Sequence, residues 1–261
     1  MTEKKYGYVN SHYLEAAAAL FRPVKKHSYL LLGDIDGKSV IDIGCGSGVD
    51  TVEMAGLTGI GGSVVGVDYD NEMIEKANHY AAERKVNDRV KHHCGNACEL
   101  PFSDNSFDAA RSERLFMHLP KPAEALLEAI RITRPGGRVV VVDTDWGSLS
   151  ANTGADDVES RIAQFRAREY LANGYSGRRL PGMFSSAPLR DITIETTALH
   201  VTDLPLWHLM TLSQNVAQVA CEQGAVSESD VARWNDAMEK ADKKGDFYGS
   251  VIIVTAAGTV V

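Results

Sequence analysis

The sequence lacks the features of a membrane, secreted or nucleic-acid-binding protein. Its 261 residues contain no apolar run near the roughly 18–20 residues of a membrane span, and the N-terminus has no signal-peptide core. Lys and Arg number 27 against 35 Asp and Glu, a net charge of −8, whereas phosphate backbones require a basic surface. We therefore expect a cytoplasmic protein without nucleic-acid partners or stable membrane insertion. The sequence predicts no oligomeric state.

Cysteine is also scarce. The four residues, Cys45, Cys94, Cys98 and Cys221, are expected to be reduced thiols rather than disulfides. The segment 92–98 holds two histidines and two cysteines, but no second pair completes a tetrahedral metal site. A strand that ends in a turn is the favoured interpretation, and we predict no metal.

Strands and helices alternate through the first half of the chain. Short apolar runs predict strands at 39–43, 63–68, 89–94, 107–111 and 138–143. Apolar residues at helical spacing and capping residues predict helices at 11–21, 49–57, 70–84 and 122–131. This alternation predicts an α/β fold, a doubly wound, Rossmann-like, mostly parallel sheet with helices on both faces. Ligands of such sheets bind beyond the carboxyl ends of the strands.

The second half is less regular. It predicts helices at 156–172, 204–221 and 227–242, and strands at 191–199 and 249–256. Because no change of composition separates the halves, we expect a single domain over 1–261. An N-terminal helical cap at 1–35 and insertions at 144–190 and 202–246 are expected to form a helical lid over the core at 36–143.

The segment 40–48 carries the sharpest signal, a strand followed by a glycine-rich turn and a helix. Gly44, Gly46 and Gly48 let the backbone approach a ligand closely. Their G-x-G-x-G spacing differs from the G-x-G-x-x-G pattern that holds a pyrophosphate. Asp42, inside the strand, needs a partner because an unpaired buried carboxylate is costly. A ligand with an amino-acid end and no phosphate would supply one.

Two further signals follow at the ends of the next strands. Asp68 lies 20 residues beyond Gly48, where a carboxylate can accept both hydroxyls of a ribose. Asn96 offers an amide to the edge of adenine, and the Ala97 backbone amide can donate to a ring nitrogen. Tyr69 and Met73 are placed to pack on the nucleoside, although Met73 equally suits the core. Together these features predict a site for adenosine joined to an amino acid.

These motifs resemble those of class I S-adenosylmethionine-dependent methyltransferases, in the small-molecule branch that includes the ubiquinone and menaquinone enzymes. The segments 41–48, 65–68 and 94–97 resemble the first, ribose-side and adenine-side motifs, although the family more often has Asp than Asn at position 96. The segments 100–108 and 134–137 resemble further signatures.

The resemblance implies S-adenosylmethionine as the cofactor and a role for each matching residue. The methionine end would approach Gly44 and Gly46, with Cys45 in the same turn. Asp68 would hold the ribose, Asn96 and Ala97 the adenine, and Arg114 would contact the cofactor through its backbone. The resemblance also implies a seven-stranded sheet whose antiparallel strand comes from 251–256.

Methyl transfer from a sulfonium is an in-line displacement that requires alignment at about 3–3.5 Å and exclusion of water. His118, after the fourth strand, is the candidate general base. Asp143, at the end of the fifth strand, is the candidate for orienting that imidazole, and Asp145 competes for this role. A mechanism by proximity alone stays open.

The expected partner is a small aromatic or heterocyclic acceptor of secondary metabolism, methylated on O, N or C. Trp146, Tyr13 and Arg178 are the candidate acceptor-binding residues, with Arg178 facing a carboxylate or phosphate. Other lid side chains suit either the acceptor or the lid core: Phe165, Tyr170, Phe184, Trp207, His208 and Met210.

Three alternatives remain. A non-methylating enzyme of the same fold, such as a cyclase, stays open because fold does not determine function. A NAD-dependent oxidoreductase is disfavoured by the glycine spacing, by Asp42 and by the final β-strand. A nucleic-acid methyltransferase is disfavoured because 112–115 reads Ser-Glu-Arg-Leu where amino-methylating DNA enzymes carry Asn-Pro-Pro-Tyr or a close variant.

Overall fold

The computed structural model describes residues 11–261, with side chains described from Leu20 onward. The strands are β1 (Ser39–Ile43), β2 (Ser63–Asp68), β3 (Val90–Cys94), β4 (Phe107–Glu113), β5 (Thr133–Asn152), β6 (Leu189–Val201) and β7 (Tyr248–Val260). The helices are α1 (Ser11–Leu30), α2 (Val49–Leu57), α3 (Asn71–Glu83), α4 (Pro122–Ile132), α5 (Asp156–Phe165), α6 (Ser176–Ser185), α7 (Leu204–Thr211), α8 (Ser213–Glu222) and α9 (Glu228–Lys244). A 3₁₀ turn spans Phe116–His118, and a π-helical turn spans Arg166–Tyr170.

The strands form one sheet in the order β3-β2-β1-β4-β5-β7-β6. The five neighbouring strands β3, β2, β1, β4 and β5 are parallel to one another, and β7 runs antiparallel to both β5 and β6. The predicted doubly wound, mostly parallel seven-stranded sheet is therefore confirmed. Strand order reverses between β1 and β4, so a ligand crevice is expected at their carboxyl ends.

Strand β1 is apolar because helices cover both faces of the sheet. Val40 and Ile41 are both fully buried and belong to two different hydrophobic clusters, one on each side. Ile43 pairs in register with Val67 of β2 and Ser112 of β4. The ends of three parallel strands therefore meet at one edge, which is where the sequence motifs lie.

Strand β5 is longer than predicted. The sequence indicated an end at Asp143, but pairing with β7 continues to Asn152, with a register shift between Asp145 and Ser150. This extension depends on a distant partner strand, which local propensity does not register. The extension carries Trp146 towards the lid.

The lid helices differ in detail from the predicted ones. The helix predicted over 204–221 is interrupted at Leu212, whose φ is 51°. Helix α6 was not predicted because Gly177, Pro181 and Gly182 are poor helix formers. Within residues 11–261, none of the helices combines the length and apolar character that a membrane crossing needs.

One hydrophobic cluster connects α1, the sheet and the lid. It includes Phe21 of α1, Val140 of β5, Trp207 of α7 and Trp234 of α9, each at most 4% exposed. A shared core of this kind supports the single-domain organisation, which we retain as a proposal.

Candidate active site

The turn after β1 is packed tightly against its neighbours. Gly44, Gly46 and Gly48 all have positive φ, between 53° and 79°. The Gly44 amide donates to the Val67 carbonyl at 2.7 Å, and a Cβ on Gly44 would lie 3.0 Å from that of Leu115. Any larger residue would strain the turn, so its glycines keep the backbone open towards the crevice.

Asp68 ends β2 beside this turn. Its Oδ2 accepts a hydrogen bond from the Gly46 amide at 2.8 Å, and its Oδ1 accepts one from the Asp70 amide at 3.0 Å. Burial raises the pKa of Asp68, and the two backbone amides act against that rise. The carboxylate is thus held at a fixed position at the end of its strand.

A cavity of about 190 Å³ lies at the carboxyl ends of β1, β2 and β4. Its lining includes six of the residues predicted to bind the cofactor: Gly44, Cys45, Gly46, Asp68, Met73 and Arg114. The topology therefore brings together residues that are 70 positions apart in the chain (44 to 114). Met73 is only 8% exposed and serves both the core and the cavity wall.

The remaining predicted cofactor residues, Tyr69, Asn96 and Ala97, are not in the cavity lining. Tyr69 is 73% exposed. The Asn96 side chain accepts a hydrogen bond from the Cys98 amide at 2.9 Å, which closes a local turn, and Ala97 is buried. The adenine assignment of Asn96 and Ala97 stays a prediction.

A buried ionic cluster adjoins the cavity; its members are Lys25, Asp42, Asp50, Arg111 and Glu113. Arg111, 1% exposed, contacts Asp42 at 3.2 Å and Asp50 at 3.7 Å, and it also pairs with Glu113. Lys25 of α1 pairs with Asp50 and lies 3.1 Å from Glu113. The cluster therefore links α1, β1, α2 and β4.

Three members of this cluster, Lys25, Asp50 and Glu113, also line the cavity. Burial tends to raise the pKa of Asp50, but Arg111 and Lys25 outweigh it and hold that pKa well below its usual range. We call this part of the cavity its floor. The Lys25 ammonium there can pair with the carboxylate of an amino-acid end, and the carboxylates of Asp50 and Glu113 can pair with its ammonium.

The partner of Asp42 differs from the one expected. Asp42 is 2% exposed, lies outside the cavity lining and pairs with Arg111, its register neighbour on β4. Burial raises the pKa of Asp42 to about 7, and Arg111 opposes that rise. The expected ligand ammonium is therefore not needed at Asp42, and Asp50 and Glu113 are the carboxylates of this cluster that reach the cavity, in addition to Asp68.

His118 lies at the end of the 3₁₀ turn and lines the cavity. Burial and, to a lesser extent, the nearby Arg114 lower the pKa of His118 to about 4. The imidazole is therefore neutral at pH 7, the form that can accept a proton, but a pKa this far below 7 makes it a weaker base than an ordinary histidine.

Asp143 does not orient the imidazole directly, which corrects the predicted pair. Its carboxylate is fully buried and accepts hydrogen bonds from the Met117 amide at 2.8 Å and the Thr144 amide at 2.7 Å. Burial raises the pKa of Asp143 to about 7, against the effect of these amides. The backbone amide of Asn173 donates to the Met117 carbonyl at 2.9 Å. The backbone of Met117, next to His118, is therefore held by Asp143 at its amide and by Asn173 at its carbonyl.

The lid side of the cavity is formed by residues distant in sequence from the glycine turn. Trp146, a predicted acceptor-binding residue, lines it together with Tyr170 and Met210. Arg166, only 4% exposed, lies over the Trp146 ring with 4.6 Å from the guanidinium carbon to the ring centre. A flat apolar molecule would find aromatic and soft surface here.

Of the other two predicted acceptor residues, Arg178 lies outside the cavity lining and the Tyr13 side chain is not described. The Arg178 guanidinium donates to Asp145 at 2.8 Å and lies over the Tyr175 ring, outside the lining of the cavity. This pairing also removes Asp145 as a partner for His118. Tyr13 lies in α1, and its side chain is outside the described part of the structure.

The other lid side chains serve packing. Phe165, Phe184 and Trp207 are at most 2% exposed and lie in the hydrophobic clusters, and His208 is hydrogen-bonded to Ser213 at 2.6 Å. The first three therefore belong to the protein core, His208 is half-buried, and none of the four is in the cavity lining.

The segment 92–98 does not assemble metal ligands. His92 packs inward against Thr51 and Asn78 at 2.8 and 3.0 Å, whereas Cys94 is exposed. No group of three or more candidate ligands occurs among the residues that the structure describes.

Sequence reasoning missed several cavity residues, among them Lys25, Glu113 and Arg166. For Arg166 a signal was present. Glu159 and Arg166 stand seven positions apart on the face of α5 and the following turn that also carries Val158, Ile162 and Phe165. Two opposite charges on an otherwise apolar helix face indicate a buried pair.

Comparisons with known proteins agree with this geometry. A family model described as a methyltransferase domain matches residues 34–175. The chain is 37% identical over 105 residues to demethylmenaquinone methyltransferase of Lactiplantibacillus plantarum, covering 40% of this chain and 44% of that protein. It is 35% identical over 107 residues to 27-O-demethylrifamycin SV methyltransferase of Amycolatopsis mediterranei, covering 41% and 39%. The chain thus spans less than half the length of these curated relatives.

A solved structure extends the likeness over the whole fold. The YcgJ protein of Bacillus subtilis superposes with a TM-score of 0.62 at 19% identity, covering 93% of this chain and 98% of that one. At this identity the likeness concerns the fold.

Proposed function

The chain belongs to the methyltransferase-domain family, and from this premise we propose that it transfers a methyl group from S-adenosylmethionine to a small acceptor bound under the lid. The observation that carries the proposal is the single cavity that joins the glycine turn and Asp68 on one side to His118 and Trp146 on the other. When bound, S-adenosylmethionine supplies a methyl group on a sulfonium, which is already activated for displacement.

The chain's residues fit the cofactor at the sheet side. Gly44 and Gly46 keep the backbone open, and Asp68 presents a fixed carboxylate for the ribose hydroxyls. Lys25 and the carboxylates of Asp50 and Glu113 match the charges of the amino-acid end. We assign the methionine moiety to this floor on the basis of that charge match.

On the lid side, the residues would align the acceptor and exclude water. Trp146 and Tyr170 offer flat surfaces on which an aromatic or heterocyclic acceptor can lie. His118 would take a proton from the acceptor atom, whether O, N or C, through its neutral imidazole. Asp143 and Asn173 act as positioning residues, because they hold the backbone next to His118.

Thermal unfolding in the presence of candidate cofactors tests the cofactor assignment. A ligand present at about 100 times its Kd stabilises the folded state by roughly 2.7 kcal/mol. We expect S-adenosylmethionine and S-adenosylhomocysteine to raise the midpoint and NAD to leave it unchanged. Mass spectrometry with methyl-labelled donor and a panel of aromatic and heterocyclic acceptors then tests transfer. Donor binding without any labelled product would favour the non-methylating alternative.

We expect His118→Ala to lower turnover by about 10²-fold or more, because a positioned base contributes a factor of this size. His118→Gln should lower it similarly, since glutamine can hydrogen-bond the acceptor but cannot take its proton. Because the pKa of His118 lies near 4, protonation of this imidazole should not lower kcat on acidification through pH 6.5, so any loss in that range is expected from Asp143, whose pKa burial raises to about 7. Steady-state kinetics with saturating donor, from pH 5.5 to 8.5, measures kcat of the wild type and of both variants.

The affinity for S-adenosylmethionine serves as the control, because both His118 variants should bind the cofactor as tightly as the wild type. Full activity in His118→Gln would assign the residue to acceptor orientation. Full activity in His118→Ala would remove it from the reaction altogether.

A further inference from the structure

Arg166 is a buried cation in the wall of the cavity. It begins the π-helical turn, which the Leu171 amide closes by donating to the Arg166 carbonyl at 3.1 Å. Such turns are rare and frequently occur at functional sites. Arg166 is 4% exposed and still belongs to the lining, so its accessible surface faces the cavity.

The side chain is held in place from its protein side. The guanidinium lies over the Trp146 ring at 4.6 Å, and the charge of Glu159 is close enough to interact with it. Glu159 in turn accepts a hydrogen bond from the Trp234 indole at 2.6 Å. A guanidinium fixed in this way loses little conformational freedom when it binds a further group.

The charges on the two sides of the cavity differ. On the sheet side, Lys25, Asp50 and Glu113 are paired with one another, and Arg114 lies 3.4 Å from Glu113. On the lid side, the other described lining residues are apolar or neutral at pH 7, including His118. Among the described lining residues of the lid side, Arg166 is therefore the charged one, and the buried Glu159, which is not in the lining, offsets part of its charge.

We propose that Arg166 binds an anionic group of the acceptor, so that the substrate is a flat apolar molecule carrying a carboxylate or a phosphate. This inference depends on the proposed methyltransferase function and specifies its substrate class. A guanidinium binds the paired oxygens of either anion through two parallel hydrogen bonds. Trp146 and Tyr170 beside it would contact the apolar body, which orients the remaining face of the acceptor towards His118.

Binding to protein saturated with S-adenosylhomocysteine tests the proposal. The probes are 4-hydroxybenzoate, its neutral amide 4-hydroxybenzamide, and phenyl phosphate, titrated by calorimetry. We expect at least one anion to bind the wild type about 10–100-fold more tightly than the amide, because a charge-assisted bidentate contact is lost in the amide. The relative affinities of the carboxylate and the phosphate identify which anion the site prefers.

Three variants locate the effect. Arg166→Met should abolish the preference for the anion, whereas Arg178→Met, which removes an arginine outside the cavity, should keep it. Because Arg166→Met leaves Glu159 buried beside an apolar side chain, a Glu159→Gln/Arg166→Met double variant removes both charges together. This double variant should also show no preference and should retain its affinity for S-adenosylhomocysteine.

The outcomes separate this proposal from the one on which it depends. Failure of the wild type to bind S-adenosylhomocysteine would contradict the methyltransferase function itself. Normal S-adenosylhomocysteine binding with no anion bound, with the amide bound as tightly, or with an anion preference that survives in the Arg166 variants, would overturn the assignment of Arg166 alone.

Discussion

Replacing Asp68 with alanine should weaken the binding of S-adenosylmethionine by about 10²–10³-fold. The carboxylate lines the cavity and would accept two ribose hydroxyls, and a hydrogen bond to a charged group contributes about 1.5–3 kcal/mol. The variant also leaves the Gly46 amide without its acceptor, which loosens the glycine turn. Isothermal calorimetry with S-adenosylhomocysteine measures the effect directly.

Asp70→Ala is the matched control. Asp70 lies two residues further on and accepts a hydrogen bond from the Glu72 amide as the cap of α3, but it does not line the cavity. Its loss should lower the free energy of unfolding by about 1 kcal/mol and leave the dissociation constant unchanged. Equal affinities in wild type and Asp68→Ala would show that the ribose is held elsewhere.

Arg111→Met is expected to produce the largest loss of stability, about 3–5 kcal/mol. Arg111 is fully enclosed and contacts three carboxylates, so its removal leaves Asp42, Asp50 and Glu113 with too little positive charge. It also removes the hydrogen bond from the Arg111 guanidinium to the Ser28 hydroxyl at 2.9 Å, one of the contacts that fasten α1. The loss would be a large part of the 5–15 kcal/mol that stabilises a typical domain.

Urea unfolding at pH 7 measures this loss, with Arg190→Met as the control. Arg190 pairs with Asp191 on the surface at 2.8 Å, and both side chains are at least 60% exposed. Exposed pairs contribute only about 0–1 kcal/mol, so this variant should unfold nearly like the wild type. Similar, small losses in both variants would mean that the buried cluster does not support the cavity.

The cavity wall at the sheet edge was predictable from sequence because its signals are local. Gly44 and Gly46 follow a short apolar strand and Asp68 ends the next one, and parallel strands bring such positions to one edge. The cap of α3 by Asp70 and the last strand were likewise predicted, since capping residues and β-rich runs are short-range features, whereas the antiparallel direction of that strand was implied by the family resemblance.

The acceptor side was not readable in the same way, because long-range pairing determines it. Arg178 was predicted as an acceptor residue and Arg166 was not, yet Asp145 holds Arg178 outside the cavity and the π turn places Arg166 in its lining. Asp42 was recognised as a buried acid inside a strand, and Asp143 as an acid at the end of one. Their actual partners, Arg111 and the backbone of the 3₁₀ turn, follow from the register of β4 and from the position of the chain after it.

The most direct test of this account is a crystal structure of the protein with S-adenosylhomocysteine. The account predicts the ribose on Asp68, the amino-acid end on the charged floor at Lys25 and Glu113, and the sulfur facing the space between His118 and Arg166. Density for the nucleoside at any other edge of the sheet, or a nicotinamide nucleotide retained at Asp68 in its place, would contradict the account.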